Sequence, residues 1–166
     1  NGTAACSVMV VTFSSLPWKS YQHPRGWTVK GPVRPRDICY RRGVPGFRRV
    51  ALLQSHQQLP AWHSYYVPDL VELCALAAVI RDHVDDVTIP LAPTDRDPFA
   101  TFARFVDRRR PDLVGVSAFT GSAVPALTYA EIAKRAGAAV VMGGYHPSAL
   151  PEEALASPYV DMVVRG

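Results

Sequence analysis

From residue 48 onward the apolar positions of the chain alternate between two textures. Short unbroken apolar runs, RRVALLQS, VTIPLAP, DLVGVSAFT, AAVVMGG and VDMVVRG, are each bounded by proline, glycine or charged residues, and this predicts buried strands. Between them the spacing becomes helical. VPDLVELCALAAVIRDHV puts Leu70, Leu73, Cys74, Ala77 and Ile80 on one stripe, and PFATFARFVDRRR puts Phe99, Phe102, Phe105 and Val106 on one face, with Pro98 suited to a first turn. PALTYAEIAKRAG predicts a third helix ended by Gly137, and PEEALASP a short fourth with acids in its first turn.

Strands that are apolar throughout, rather than alternating, need cover on both faces, and a regular strand–helix order makes them parallel. With right-handed crossovers, five such strands predict an α/β fold: a doubly wound five-stranded parallel sheet, flavodoxin-like (Rossmann-like), in the order 2-1-3-4-5. Ligands of such sheets lie beyond the carboxyl ends of the strands, where the first and third diverge. Function is therefore to be sought in the residues at those strand ends.

The leading segment lacks this texture. PWKSYQHPRGWTVKGPVRPRDICYRRGVPGF, residues 17–47, spaces its prolines and glycines too closely for a helix or a central strand. Residues 1–47 are expected to be a basic, Pro/Arg-rich, irregular arm or leader, and residues 48–166 the α/β domain. Composition suits that division, since the 166 residues are 48% hydrophobic and 19% charged, with fifteen prolines. The positive charge resides at the leading end: residues 1–49, the arm with Arg48 and Arg49, carry nine cations against Asp37 alone, +8, and the remainder comes to −4. The domain thus gives no reason to expect nucleic acid. Trp18, Tyr21, Trp27 and Tyr40 among the arm's arginines are compatible with such contact, but a linker or leader accounts for them more simply.

Cys6, Cys39 and Cys74 form neither a disulfide framework nor a CxxC site, so a reducing, cytoplasmic setting is expected. No apolar run approaches the roughly 20 residues of a membrane span, and CSVMVVTF lacks the flanks of a signal peptide. A start at Asn1 and a close at VVRG suggest a piece of something longer.

The first strand ends in QSHQQLP, without the glycine patterns that cradle dinucleotides or nucleoside triphosphates, and without a flavin phosphate loop. Ser55, His56 and Thr120 stand where a phosphoacceptor domain would need acids. The third strand ends in GVSAFTGS, whose Ser117, Thr120, Gly121 and Ser122 suit either ligand contact or an ordinary turn. The fourth ends in GGYHP: Gly143 and Gly144 permit close approach of a bulky group, and His146 reads as a cap or surface residue rather than a metal ligand. The fifth ends at Arg165 and Gly166.

On these motifs, PDLVGVS, GGYHP, PEEAL and VDMVVRG, the run from Pro111 to Gly166 resembles the second half of the cobalamin-binding domain that precedes the catalytic domain of radical S-adenosylmethionine enzymes. The resemblance extends, with weaker motifs, from Arg48. It implies cobalamin held between the strand ends and a partner domain, with Ser117, Thr120 and Gly121 lining the pocket for the nucleotide tail. Gly143, Gly144, Tyr145 and His146 would form the loop beside it, and Ser55, His56 and Gly166 complete the expected cofactor-binding set. The Asp-x-His-x-x-Gly motif that supplies a cobalt ligand in mutase-like modules is absent, and RDHVDD is not that motif. His56 and His63 occupy the loop where such a ligand would arise, at a different spacing. No CxxxCxxC occurs, so the [4Fe-4S] cluster and S-adenosylmethionine would belong to a downstream domain. The implied function is to present the corrin for methyl transfer to a small-molecule or peptide substrate, without catalysis by this chain alone. The rival reading is a stand-alone flavodoxin-like module for another small ligand, or none.

Overall fold

A computed structural model describes residues 46–56, 70–92 and 95–165, with the backbone of three short strands at 9–12, 21–22 and 28–29. The first, β1 (Met9–Thr12), lies inside the stretch expected to be irregular. Residues 13–46 form a separate unit, in which β2 (Tyr21–Gln22) and β3 (Thr28–Val29) pair antiparallel.

The strands of the main sheet are β4 (Arg49–Gln54), β5 (Asp86–Thr88), β6 (Leu113–Ser117), β7 (Ala139–Gly143) and β8 (Met162–Arg165). All pair in parallel, and their spatial order, β8-β7-β6-β4-β5, is the expected 2-1-3-4-5 read from the other edge. Beyond β8 the sheet gains a sixth parallel strand, β1, with Met9 opposite Met162.

Because side chains alternate along a strand, each strand feeds two faces. On one face Leu53, Val114, Val116, Val140, Met142 and Val163 are buried to within 2% of complete. They pack against α2 (Pro98–Arg109) and α3 (Ala123–Arg135), which contribute Phe102, Val106, Ala126 and Tyr129. Burial of each such side chain contributes roughly 1.5–3 kcal/mol. On the other face Val50 and Leu52 meet Leu73 of α1 (Val71–Ile80), while Val141, Met162 and Val164 are only half-buried. Leu70, Ala77 and Ile80 of the predicted stripe join this smaller cluster; Cys74, at the stripe's margin, is exposed.

Local chemistry sets the helix ends. The Asp97 carboxylate accepts from the Ala100 N–H at 3.0 Å and Pro98 opens α2, so an otherwise unpaired N-terminal donor is satisfied. Gly137, at φ +92°, turns the chain after α3. The GGYHP loop carries an unexpected short helix, α4 (Tyr145–Ala149), before α5 (Pro151–Leu155). At the amino ends of the strands, Asp112 accepts from the Arg48 and Arg49 backbone N–H groups at 3.1 and 3.0 Å and from Arg49 Nη2 at 3.0 Å. The Arg49 hydrogen bond leads the interactions that hold the Asp112 carboxyl below its usual range.

Candidate cofactor site

The carboxyl ends of β4, β6 and β7 are joined into one platform by backbone hydrogen bonds. Ser55 N–H donates to the Ser117 carbonyl at 2.9 Å, Ala118 N–H to Gly143 at 2.9 Å, and His146 N–H to Ala118 at 3.1 Å. The buried Ser55 hydroxyl donates to the Ser122 carbonyl at 3.0 Å, fastening the end of β4 to a 3₁₀ turn, Thr120–Ser122. Ser122, also buried, bridges the Phe119 N–H and carbonyl through its own hydroxyl. Ser55 and Ser122 therefore spend their polar groups bracing the loops. Thr120 and Gly121 are exposed on that turn, and Ser117 is half-buried at its base.

The two glycines of GGYHP have different causes. Gly144 has φ +95°, and a β-carbon there would stand 2.8 Å from the Ala118 carbonyl oxygen and 3.0 Å from both the Ala118 nitrogen and Ser117 Oγ. Its neighbours and its backbone conformation both require glycine. A β-carbon on Gly143 would meet nothing closer than Val164, at 3.9 Å. Nothing in the described protein explains the missing side chain there.

Register places Gly143 in a row. Gln54 pairs with Ser117 and Ser117 with Gly143, so the three occupy one level of adjacent strands, on the less covered face. One level below lie Leu52, Gly115 and Val141. Leu52 leans over Gly115, where a β-carbon would come within 2.9 Å of its Cδ2. What stays accessible is a shallow slot at Gly143, bounded by half-buried Val141 and Val164 and by the Ser117 hydroxyl, while Gln54 is 3% exposed and its amide donates to the Ser117 carbonyl at 3.4 Å. Gln54 and Gly115 are absent from the expected site. Their signal was a polar residue closing an apolar strand and a glycine at a strand's centre.

Tyr145 is 68% exposed and its ring stacks on Phe119, with centroids 5.5 Å apart at 23°, making an aromatic ledge across two strand ends. His146 points inward and is 7% exposed; its Nε2 lies 3.5 Å from Glu153 Oε1, and its buried Nδ1 has no partner among the described residues. His56 lies on the opposite side of the sheet from the slot, its Nδ1 2.9 Å from Tyr129 Oη and its ring against Phe99. Burial lowers the His56 pKa and raises that of Tyr129. His63 and Gly166 lie outside the described residues. Among the described residues no group of three or more His, Cys, Asp or Glu is arranged to hold a metal ion, and no helix is long and apolar enough to cross a membrane.

A doubly wound parallel sheet with an uncharged, braced platform and a glycine-cleared slot where its first and third strands diverge defines a domain built to bind a small organic ligand. The chain belongs to the B12-binding domain family, whose sequence pattern, described as B12 binding domain, matches residues 64–166. Membership implies cobalamin as the ligand. The chain is also similar to a protein of Pyrococcus horikoshii named as an uncharacterized methyltransferase, with 36% identity over 97 residues. That match covers 57% of this chain and 21% of the relative, so the chain spans about a fifth of that protein's length. β4, Gln54, Ser55 and His56 lie upstream of the family match.

The site residues fit cobalamin on physical grounds. Its flat nucleotide base needs an apolar surface with room above it, and Val141 and Val164 supply the apolar groups while Gly143 leaves bare backbone between them. The many amides on its ring need hydrogen-bonding groups on an uncharged surface, and the Ser117 and Thr120 hydroxyls stand among such residues.

Proposed function

We propose that this chain holds cobalamin at the carboxyl ends of β4, β6 and β7 and presents the corrin to a radical S-adenosylmethionine domain elsewhere in the same enzyme, for methyl transfer. The observation that carries the cofactor half is Gly143, a glycine that neither its backbone nor its neighbours require, at the level of Gln54 and Ser117. The slot on that face would hold the nucleotide tail. Thr120, Gly121 and the Phe119–Tyr145 ledge, exposed backbone and aromatic surface at the same strand ends, would support the ring.

Cobalamin would supply the methyl-carrying chemistry; the protein's part is to bind and orient it. The braced loops reduce the ordering needed on binding, because Ser55, Ala118 and His146 already fix them. The name of the Pyrococcus relative and the motifs shared with cobalamin-dependent radical enzymes support the methyl-transfer half. The cluster and S-adenosylmethionine would be bound by that further domain, since this sequence has no CxxxCxxC.

Titration of the 166-residue chain with hydroxocobalamin tests the first half. The expected result is a change in the cobalamin spectrum together with a raised thermal midpoint. An unmoved spectrum and midpoint would instead favour a module for a different small ligand. The second half predicts a CxxxCxxC motif in the parent enzyme and, after cluster reconstitution, cleavage of S-adenosylmethionine; an enzyme without that motif would remove it.

A further inference from the structure

His56 stands at the end of the strand beside the switch point, and its protonation geometry is decided by one neighbour. The Tyr129 side chain is completely buried, and among the described residues its hydroxyl has one hydrogen-bonding partner, His56 Nδ1 at 2.9 Å. Two arrangements are available to a neutral imidazole. If Nδ1 carries the proton and donates to the tyrosine oxygen, the tyrosine's own O–H is left in the core without an acceptor. A buried unmet donor is costly, whereas an oxygen with unused lone pairs is tolerated better. If Tyr129 donates to Nδ1 instead, its O–H is satisfied and the imidazole proton lies on Nε2. Nε2 is not among the buried atoms lacking a partner, so it faces accessible space where an N–H is easily met. Burial, which lowers the histidine's pKa, favours the neutral ring to which this choice applies.

We infer that Tyr129 locks His56 as the Nε2–H tautomer, making this histidine, across the sheet from the slot, a fixed hydrogen-bond donor toward an acceptor oxygen of that part of a ligand which spans the strand ends, rather than an electron-pair donor to its metal. To ligate a metal through Nε2 the ring would have to move its proton to Nδ1, which would strip the Tyr129 hydroxyl of its only described acceptor. A carboxylate in place of Tyr129 would have the opposite effect, because it accepts from Nδ1 and leaves Nε2 bare. Tyr129 is thus a positioning residue: it acts through His56 and touches no ligand itself. Identifying the acceptor with an amide carbonyl of the corrin rests on the cobalamin reading; the tautomer does not.

The test uses the full chain labelled uniformly with nitrogen-15. Two-bond proton–nitrogen correlations of the histidine rings at pH 8, with His56→Gln to assign the signal, should show a protonated Nε2 and a bare Nδ1. The reverse pattern would overturn the inference. Tyr129→Phe should release the ring into a mixture of tautomers, and an unchanged pattern in a folded variant would show that Tyr129 is not the lock. Should that variant fail to fold, the wild-type pattern decides. In cobalamin titrations, His56→Phe should weaken binding roughly tenfold while His56→Gln, which keeps an N–H donor, holds close to wild type. Equal binding by His56→Phe and wild type would overturn the donor role. Electron paramagnetic resonance of cob(II)alamin bound to the labelled chain should show no nitrogen-15 doublet on cobalt, and such a doublet would sink the proposal. If the wild-type chain takes up no cobalamin, the cofactor reading fails while the ring spectra still report the tautomer.

Discussion

The two faces of the sheet are made by alternate residues of the same strands, yet they are packed to different degrees. Val140 and Met142 point into a closed core of α2 and α3, while Val141 and Gly143, one residue on from each, face the partly covered side. The closed face carries large side chains at every level. The open face carries glycine at Gly115 and Gly143 and half-buried valines between them. A fold of this class normally covers both faces, so the less covered stretch at β7 and β8 is where a ligand or a further element would find room.

Substitution of neighbours on opposite faces should break that comparison if it is wrong. Met142→Ala is expected to lower unfolding stability by about 3 kcal/mol through lost contacts and a residual cavity, and Val141→Ala by about 1 kcal/mol. Urea melts giving equal costs would mean that the two faces are equally packed.

The paired glycines sharpen the same contrast. Gly144→Ala should cost about 2–3 kcal/mol, because it adds a strained positive φ to a backbone collision. Gly143→Leu should change stability by under about 1 kcal/mol, since its β-carbon would meet only Val164, at an ordinary 3.9 Å, and yet reduce cobalamin affinity at least roughly tenfold. A stable Gly144→Ala, or a Gly143→Leu that binds normally, would reverse the roles assigned to them.

The smallest effect concerns the opposite end of the sheet, away from any ligand. The Asp112 carboxyl has a folded pKa below its unfolded value of 3.8, so its contribution is present above that pH and is lost as pH falls through the lower, folded value. Asp112→Asn should flatten the acid limb of the stability profile below about pH 4 and lower neutral-pH stability by roughly 1 kcal/mol. An unchanged acid limb would show that the Arg49 contact is not formed in solution.

Much of this architecture is legible in the sequence because the signals are local. Phe102 and Val106 repeat at helical spacing and are buried, and VALLQ, LVGVS and VVM are apolar throughout and form central strands. What escapes is set by contacts between distant segments. The need for glycine at 144 comes from the Ala118 backbone, and Gly143 looks identical in the sequence although no neighbour demands glycine there. Ser55 and Ser122 read equally well as ligand groups or as braces until their mutual hydrogen bond is seen. Gln54 becomes a site candidate only through its register with Ser117 and Gly143. The helix at Tyr145 was hidden because its five residues, with proline in the third place, carry no periodicity.

The pairing of β1 with β8 gives the sheet a particular order of assembly. Met9 and Met162 are neighbours across the ladder but lie at opposite ends of the chain order. On a ribosome adding about 5–20 residues each second, β1 would emerge on the order of ten seconds before its partner strand exists. Throughout that interval it is a short apolar segment with unpaired backbone groups, which other chains could capture. The other five strands of this sheet can pair among themselves as they appear, so the one that precedes them in the chain is the last of the six to be secured. Nascent chains stalled before residue 162 should therefore protect β4, β6 and β7 from proteolysis while leaving residues 9–12 accessible.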